Sequence, residues 1–266
     1  PAQSLAAFAQ RVEKEIGITV SVGFSHNKFL AKIASDLDKP RGFAVIGKTE
    51  AASFLAEKPV GLIWGVGAVF QRRLAEDGIT RIGHLQRLDR KTLATRYGTM
   101  GARLYHLARG EDSRQVDPRH EAKSISAETT FNTDIVATKE LERQLWLLCE
   151  KVSARTKAAG LAGAGVTLKL KTKDFQTITR NTSIEPTALA KPLFEAARRL
   201  LAAQADGRAF RLIGVGLARL APAEPAAQGN FLDTGRKRLA QAEAAIDHIR
   251  TRFGSGAVIR GRALKD

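Results

Sequence analysis

Phe29-Leu-Ala-Lys-Ile-Ala-Ser-Asp-Leu-Asp-Lys-Pro-Arg-Gly42 is followed about twenty residues later by Leu62-Ile-Trp-Gly-Val-Gly67. The first stretch predicts one short amphipathic helix with Lys32 and Lys39 at opposite ends, stopped by the Pro-Arg-Gly break. The second opens Ile63-Trp-Gly65-Val-Gly67-Ala-Val-Phe-Gln-Arg-Arg-Leu74, a hydrophobe-x-Gly-hydrophobe-Gly order with a downstream leucine. That order predicts a helix-hairpin-helix. Its central glycines let the backbone approach a phosphate, and the first N–H groups of the second helix donate to that anion. A Gly-x-Gly turn also serves ordinary helix packing, but the flanking apolar spacing and Arg72 and Arg73 favour a nucleic-acid backbone. Such contacts position a duplex without reading its sequence. Arg96-Tyr-Gly98-Thr-Met-Gly101-Ala-Arg103 is a candidate second, degenerate hairpin.

Outward from these motifs the pattern changes twice. Leu5, Phe8, Val12 and Ile16 share helical spacing over residues 2–16, and Gly17 ends that helix. Ile18–Phe24 predicts a buried strand and Phe43–Ile46 a short one, with the Asn27–Leu37 helix between them. This is α/β material, enough for the second half of a domain. From Thr49 to Pro118 short helical segments are punctuated by glycines, and helices this short need one another to be stable. Asp112–Ala122 is polar, contains a proline and lacks periodicity, as an interdomain linker does. Residues 123–220 then predict β-α-β-β-α-β. The strands are Ser124–Phe131, Gly165–Thr172, Thr177–Ile184 and Phe210–Leu220, with helices near 138–158 and 188–204. This split order builds a four-stranded antiparallel sheet backed by two helices. A Pro/Ala-rich link from Pro222 to Gln228 precedes a basic amphipathic helix over about 234–252.

The 266 residues are 44% hydrophobic, enough for more than one core, and carry 43 Lys plus Arg against 27 Asp plus Glu, a net charge of +16. The excess concerns partners, and basic residues spread along the whole chain suit nucleic acid better than a membrane surface, which favours one concentrated basic helix. Residues 123–220 are the most positive, with sixteen Lys and Arg against nine Asp and Glu. The single cysteine, Cys149, lies in an apolar run and excludes an internal disulfide or a cysteine-based zinc site. No apolar run approaches the roughly 18 residues that span a bilayer, and no signal peptide opens the sequence, so a cytoplasmic protein is expected. The five histidines have no metal-site spacing.

Lys169, Lys171 and Lys173 alternate with Leu168, Leu170 and Thr172, so one strand face is basic while the other packs inward. Thr177, Thr179, Asn181 and Ser183 continue a polar face, with Arg180 just off the alternation. Lys123 and Ser124 open the first strand and Arg211 begins the last. These residues are the expected DNA contacts on the sheet, to the backbone rather than to bases. Lys39 has a fixed origin beside Pro40 and a long reach, Lys32 lies on the same helical face, and Lys28 is a weaker candidate.

Taken in order, the Phe29–Gly42 segment, the Gly65-Val-Gly67 hairpin, Lys123-Ser-Ile-Ser-Ala-Glu128 and Phe210-Arg-Leu-Ile-Gly-Val-Gly-Leu217 resemble a Y-family translesion DNA polymerase of the bacterial polymerase IV type. The resemblance implies an α+β multidomain fold. Residues 1–55 would be a partial α/β palm and 56–118 an all-α helix-hairpin-helix thumb. After a linker at 119–122, residues 123–220 would form the little finger, and 221–266 a C-terminal tail. It implies that Lys39 contacts the triphosphate of an incoming dNTP, a role that suits a mobile point charge. The partners implied are primer–template DNA and, through Gln228, Phe231 and Leu232, a sliding clamp, although the glutamine and apolar residues stand in an inverted order. A monomer on DNA and a bacterial cytoplasmic location follow.

The family's three carboxylates hold two Mg²⁺ ions, and their motifs lie upstream of the segment that Phe29 opens. Neither pattern occurs among these 266 residues, which are therefore expected to bind primer–template without catalysis. A catalytically dead, clamp-tethered adaptor in lesion bypass is the first alternative. A helix-hairpin-helix glycosylase or nuclease is the second, with Asp77 as the one loosely placed acid and nothing to support it.

Overall fold

A computed structural model describes residues 1–118, 121–223, 234–254 and 256–264. The chain forms two compact units, Pro1–Arg119 and His120–Asp266.

The first unit opens with helix α1 (Ala2–Ile16), which stops at Gly17 in the left-handed region, φ 79°, with the glycine N–H on the Glu13 carbonyl. None of α1 is buried, and Phe8 and Ile16 are exposed. Strands β1 (Val22–Ser25) and β2 (Phe43–Ile46) pair in parallel from Val22↔Phe43 to Ser25↔Ile46. The strand expected from Ile18 begins only at Val22, because its one ladder partner begins at Phe43; Ile18 is exposed. Helix α2 (Lys28–Leu37) is capped by the Asn27 side chain, which accepts the Leu30 N–H at 3.0 Å. The Asn27 amide also donates to the Gly110 carbonyl at 2.7 Å, tying α2 to the end of the helical region.

That region contains α3 (Ala51–Ala56), a single 3₁₀ turn at Val60–Leu62, α4 (Ala68–Glu76), α5 (Ile82–Gln86) and α6 (Arg90–Ala108). Short helices survive here by sharing one core, in which Leu74, Ile82, Leu85, Leu93 and Leu104 are fully buried. The same cluster includes Phe29, Leu30 and Ile33 of α2.

The second unit runs β3 (Ser124–Ile135), α7 (Thr138–Ala158), β4 (Leu161–Thr172), β5 (Thr177–Thr187), α8 (Ala190–Ala202) and β6 (Phe210–Pro222). The four strands form one antiparallel sheet in the order β3-β6-β4-β5. The α+β class and the β-α-β-β-α-β order are as the sequence predicts. The strands are longer than their apolar alternation, since pairing of Leu161 with Pro222 carries β4 back through Ala162 and Gly163. Leu168, Leu170, Ile213, Val215 and Leu217 pack beneath against Leu141, Leu145 and Val152 of α7 and Leu193, Phe194 and Ala197 of α8. Cys149 lies in this core, where burial pushes its thiol pKa up, as suits an unreactive thiol.

Helix α9 (Thr234–Phe253) is more than a basic surface helix, because it inserts Glu243 between α7 and α8. Glu243 is 1% exposed and accepts from Lys157 Nζ at 2.6 Å, Arg260 Nη1 at 3.4 Å and the Ala190 N–H at 3.2 Å. Ala190 begins α8, which has no cap from its own neighbourhood, so a residue fifty-three positions away supplies one. Arg250 fastens the other end, donating to Val258 O at 2.8 Å and pairing with Glu150 at 3.3 Å.

Candidate nucleic-acid interface

In the first unit the Leu62–Gly67 turn is made by burying Ile63 and Val66 while Trp64 points to solvent. Gly65 has φ 98°, a conformation closed to ordinary side chains, and Met100 lies against it. Gly67 is the N-cap of α4, with no side-chain cap and open space above its Cα. The first-turn N–H groups of α4 therefore end at an exposed, small-residue surface. Gln71 ties the turn closed by donating to Val66 O at 3.0 Å. Arg72 is exposed on the first turns of α4. Arg73 is engaged within the unit: it donates to Arg96 O at 2.8 Å and lies 5.3 Å from the Tyr97 ring.

The second glycine motif lies beside the first. Helix α6 breaks at Gly98, φ 62° and ψ −142°, so the chain is helix, kink, helix. Gly101 permits a close crossing: a Cβ there would stand 1.8 Å from Leu93 O. Tyr97 donates to Asp77, and burial first, then this contact, push its pKa up to about 12. Asp77 is thereby engaged in holding the fold. Met100 against Gly65, Arg73 on Arg96 O and Arg103 over Trp64 at 5.9 Å bring the two turns together.

Lys32 and Lys39 meet on one carboxylate. Both ammonium groups pair with Asp36, Lys39 at 2.6 Å. Hydrogen bonds from Lys32 first, and then Lys39, hold the Asp36 carboxyl below its usual range. Lys28 reaches the Gln115 carbonyl at 3.4 Å. Among the described residues no three His, Cys, Asp or Glu side chains gather where they could hold a metal ion.

In the second unit the sheet face opposite the helices carries lysines, small polar residues and two glycines. Lys169 and Lys171 on β4 lie across from Gly214 and Leu212 of β6 and from Thr179 and Thr177 of β5. Gly214 and Gly216 face Glu128 and Ser126 of β3, where a Cβ on either glycine would come within 3.0 Å of a neighbouring Cβ. Ser124 lies on this same face and Lys123 just before it, both exposed. Lys169 is paired with Glu128 at 2.8 Å. Lys173 is exposed in the β4–β5 loop, and Arg211 lies beside Phe175 of that loop, 3.9 Å from ring centroid to Cζ. Arg180 does not join them. Its ladder partner is Leu168, a core residue, so it stands on the opposite side of the edge strand. Gln228, Phe231 and Leu232 lie outside the described residues.

Two groups on this surface have weak sequence signals. Arg219 takes a positive φ of 51° and donates to Ala164 O at 2.6 Å and Ser183 Oγ at 2.7 Å, beside the polar face. Phe175 is an exposed aromatic in a hairpin loop, and only its lysine-rich surroundings in Lys171-Thr-Lys-Asp-Phe175 draw notice to it.

Comparison with known proteins fits these features. Residues 122–231 match the impB/mucB/samB family C-terminal domain, and residues 2–36 match the impB/mucB/samB family. The chain is 55% identical to DNA polymerase IV 1 of Mesorhizobium japonicum over 98% of its length and 60% of that protein's. It is 51% identical to DNA polymerase IV of Caulobacter vibrioides over its whole length and 66% of that protein's. The chain thus spans about three fifths to two thirds of the relatives it matches. A solved Y-family DNA polymerase chimera, Dbh-Dpo4(243-245)-Dbh, superposes with a TM-score of 0.64 at 26% identity, covering 82% of this chain and 63% of that one. The chain belongs to the impB/mucB/samB family, the Y-family polymerases of the DNA polymerase IV type.

Proposed function

We propose that these residues form the DNA-holding portion of a polymerase that copies damaged template by adding dNTPs to a primer 3′ end. The observation that carries the reading is the α4 hairpin, an uncapped and exposed helix N-terminus between Gly65 and Arg72. The neighbouring turn at Gly98 supports it. So does the face bearing Lys169, Lys171, Ser124 and the side-chain-free Gly214 and Gly216, which a duplex backbone can approach closely. Lys123, Lys173 and Arg211 add cations at its margins. Arg73 mainly buttresses the hairpin, and Arg180 is left out of the interface.

Lys39 is the nucleotide contact in this reading. A triphosphate would displace Asp36 from it, exchanging one oxyanion partner for a stronger one. Lys32 would then keep Asp36 occupied. The tail segment with Gln228, Phe231 and Leu232 is the proposed clamp attachment, and the protein acts in the bacterial cytoplasm as a monomer on DNA.

The reaction of such a polymerase uses Mg²⁺, and the described carboxylates do not fit that ion. Asp36 is held by two lysines and no acidic cluster exists among the described residues. No catalytic step is therefore assigned to these side chains. Phe8, Ile16, Ile18, Phe43 and Val45 are exposed apolar side chains that, in this reading, further palm residues would cover. The test is primer extension with Mg²⁺ and four dNTPs at protein concentrations that fully shift the primer–template. The expected result is a retarded complex with an unextended primer; template-directed extension by the 266 residues would overturn the assignment.

A further inference from the structure

The β4–β5 loop carries a residue that its backbone does not favour. Lys173, Asp174 and Phe175 form a three-residue hairpin loop, with the Phe175 N–H on Thr172 O at 3.0 Å and the Thr172 N–H on Gln176 O at 2.9 Å. Its last position adopts φ 62°. Glycine or asparagine ordinarily fills that position, since a side chain there is strained. Phe175 is also 62% exposed, so burial does not offset the strain. Local preference and core packing both leave this phenylalanine unexplained.

Its surroundings are built around the ring. The β4–β6 register changes from Lys171↔Leu212 to Thr172↔Phe210, which leaves Arg211 as the extra residue of a bulge. Bulges re-aim side chains, and here the guanidinium Cζ lies 3.9 Å from the Phe175 centroid. Lys171 Nζ lies 5.1 Å from the same centroid. A largely exposed aromatic ring beside two cations, at the margin of a basic face, matches the pattern that stacks a base while the cations meet its phosphates.

We infer that Phe175, backed by Arg211, is a stacking platform for an unpaired DNA base adjoining the duplex on the sheet face. This rests on the DNA-holding function proposed above. A paired base inside a duplex has both π-faces covered, so the occupant is a base in a single-stranded stretch.

The test uses primer–template DNA with 2-aminopurine placed successively along the single-stranded template, together with a blunt duplex. Wild-type protein is expected to change the probe's fluorescence at one overhang position. Phe175→Ala abolishes that change and weakens overhang binding about five- to tenfold, with an unaltered salt slope and unaltered affinity for the blunt duplex. Phe175→Gly loses the same binding while its thermal midpoint is no lower than wild type, because glycine relaxes the loop. Phe175→Trp retains binding. Wild-type fluorescence changes and affinity in Phe175→Ala would overturn the platform alone. An equal loss on blunt duplex would make the occupant a duplex end and overturn the unpaired-base assignment. Absence of DNA binding by the wild type at low salt would overturn the underlying function as well.

Discussion

Glu243→Gln isolates what the C-terminal helix contributes to the second unit. The substitution keeps size and shape but removes the charge that Lys157 at 2.6 Å and Arg260 at 3.4 Å share, and leaves one acceptor for the Ala190 N–H. Breaking a buried ion pair costs about 3–5 kcal/mol when the surviving charge is stranded. Here Lys157 keeps Asp247 at 2.8 Å and Arg260 keeps Glu150 at 3.5 Å, so neither cation is orphaned. The expected loss is therefore lower, about 2–3 kcal/mol, or roughly 6–12 °C for a unit of this size. Burial, the largest influence, would raise the Glu243 carboxyl, but the Lys157 hydrogen bond and charge, the Ala190 N–H and the Arg260 charge together outweigh it, and the group titrates below its usual range. A depressed carboxyl stabilises the fold above its unfolded pKa, and that contribution is lost as pH falls through the folded one. The gap between wild type and variant should narrow below about pH 4. Urea and thermal unfolding followed by circular dichroism from pH 3 to pH 8 measure both quantities. A loss under about 0.5 kcal/mol at pH 7, or a gap that does not change with pH, would refute the view that α9 is held by this carboxylate.

Arg72→Ala should weaken binding to duplexes of every sequence and lower the salt slope by about one, read by anisotropy titration. Glu128→Gln releases Lys169 and removes an anion from the sheet face, so affinity at low salt should rise, most visibly near 50 mM. Gly101→Ala forces a Cβ against Leu93 O and should cost the first unit about 1–3 kcal/mol, seen as an earlier urea midpoint. Tyr97 has its pKa raised to about 12, while the unfolded phenol ionises near pH 10. The stability it confers is complete below pH 10 and lost as pH rises from there towards 12. Tyr97→Phe should flatten that alkaline loss in unfolding midpoints.

The order of elements was legible because its signals are local. Gly17 and Asn27 mark helix ends, and the alternation through Lys169 and Lys171 marks a strand. Where pairing decides, sequence falls short: the start of β1 waits for β2, and β4 extends into Ala and Gly only because β6 runs beside it. Arg180 shares its parity with Ile178 and Ile184, which pack against the core, so the alternation of β5 already marks its face as the one turned towards the helices. Asp36 reads as one acid among lysines, and only the folded helix end shows both Lys32 and Lys39 spent on it. Glu243 looks like a surface residue of a charged helix. Its burial depends on cations from α7 and from beyond α9, separations that periodicity does not register.

Whether this chain grips DNA through backbone phosphates is read from its dissociation constant for primer–template DNA across a salt series. Phosphate contacts give a linear fall of log affinity with log salt corresponding to several neutralised phosphates, at equal strength for unrelated sequences. Salt-independent affinity, or no complex at about 50 mM salt, would contradict it.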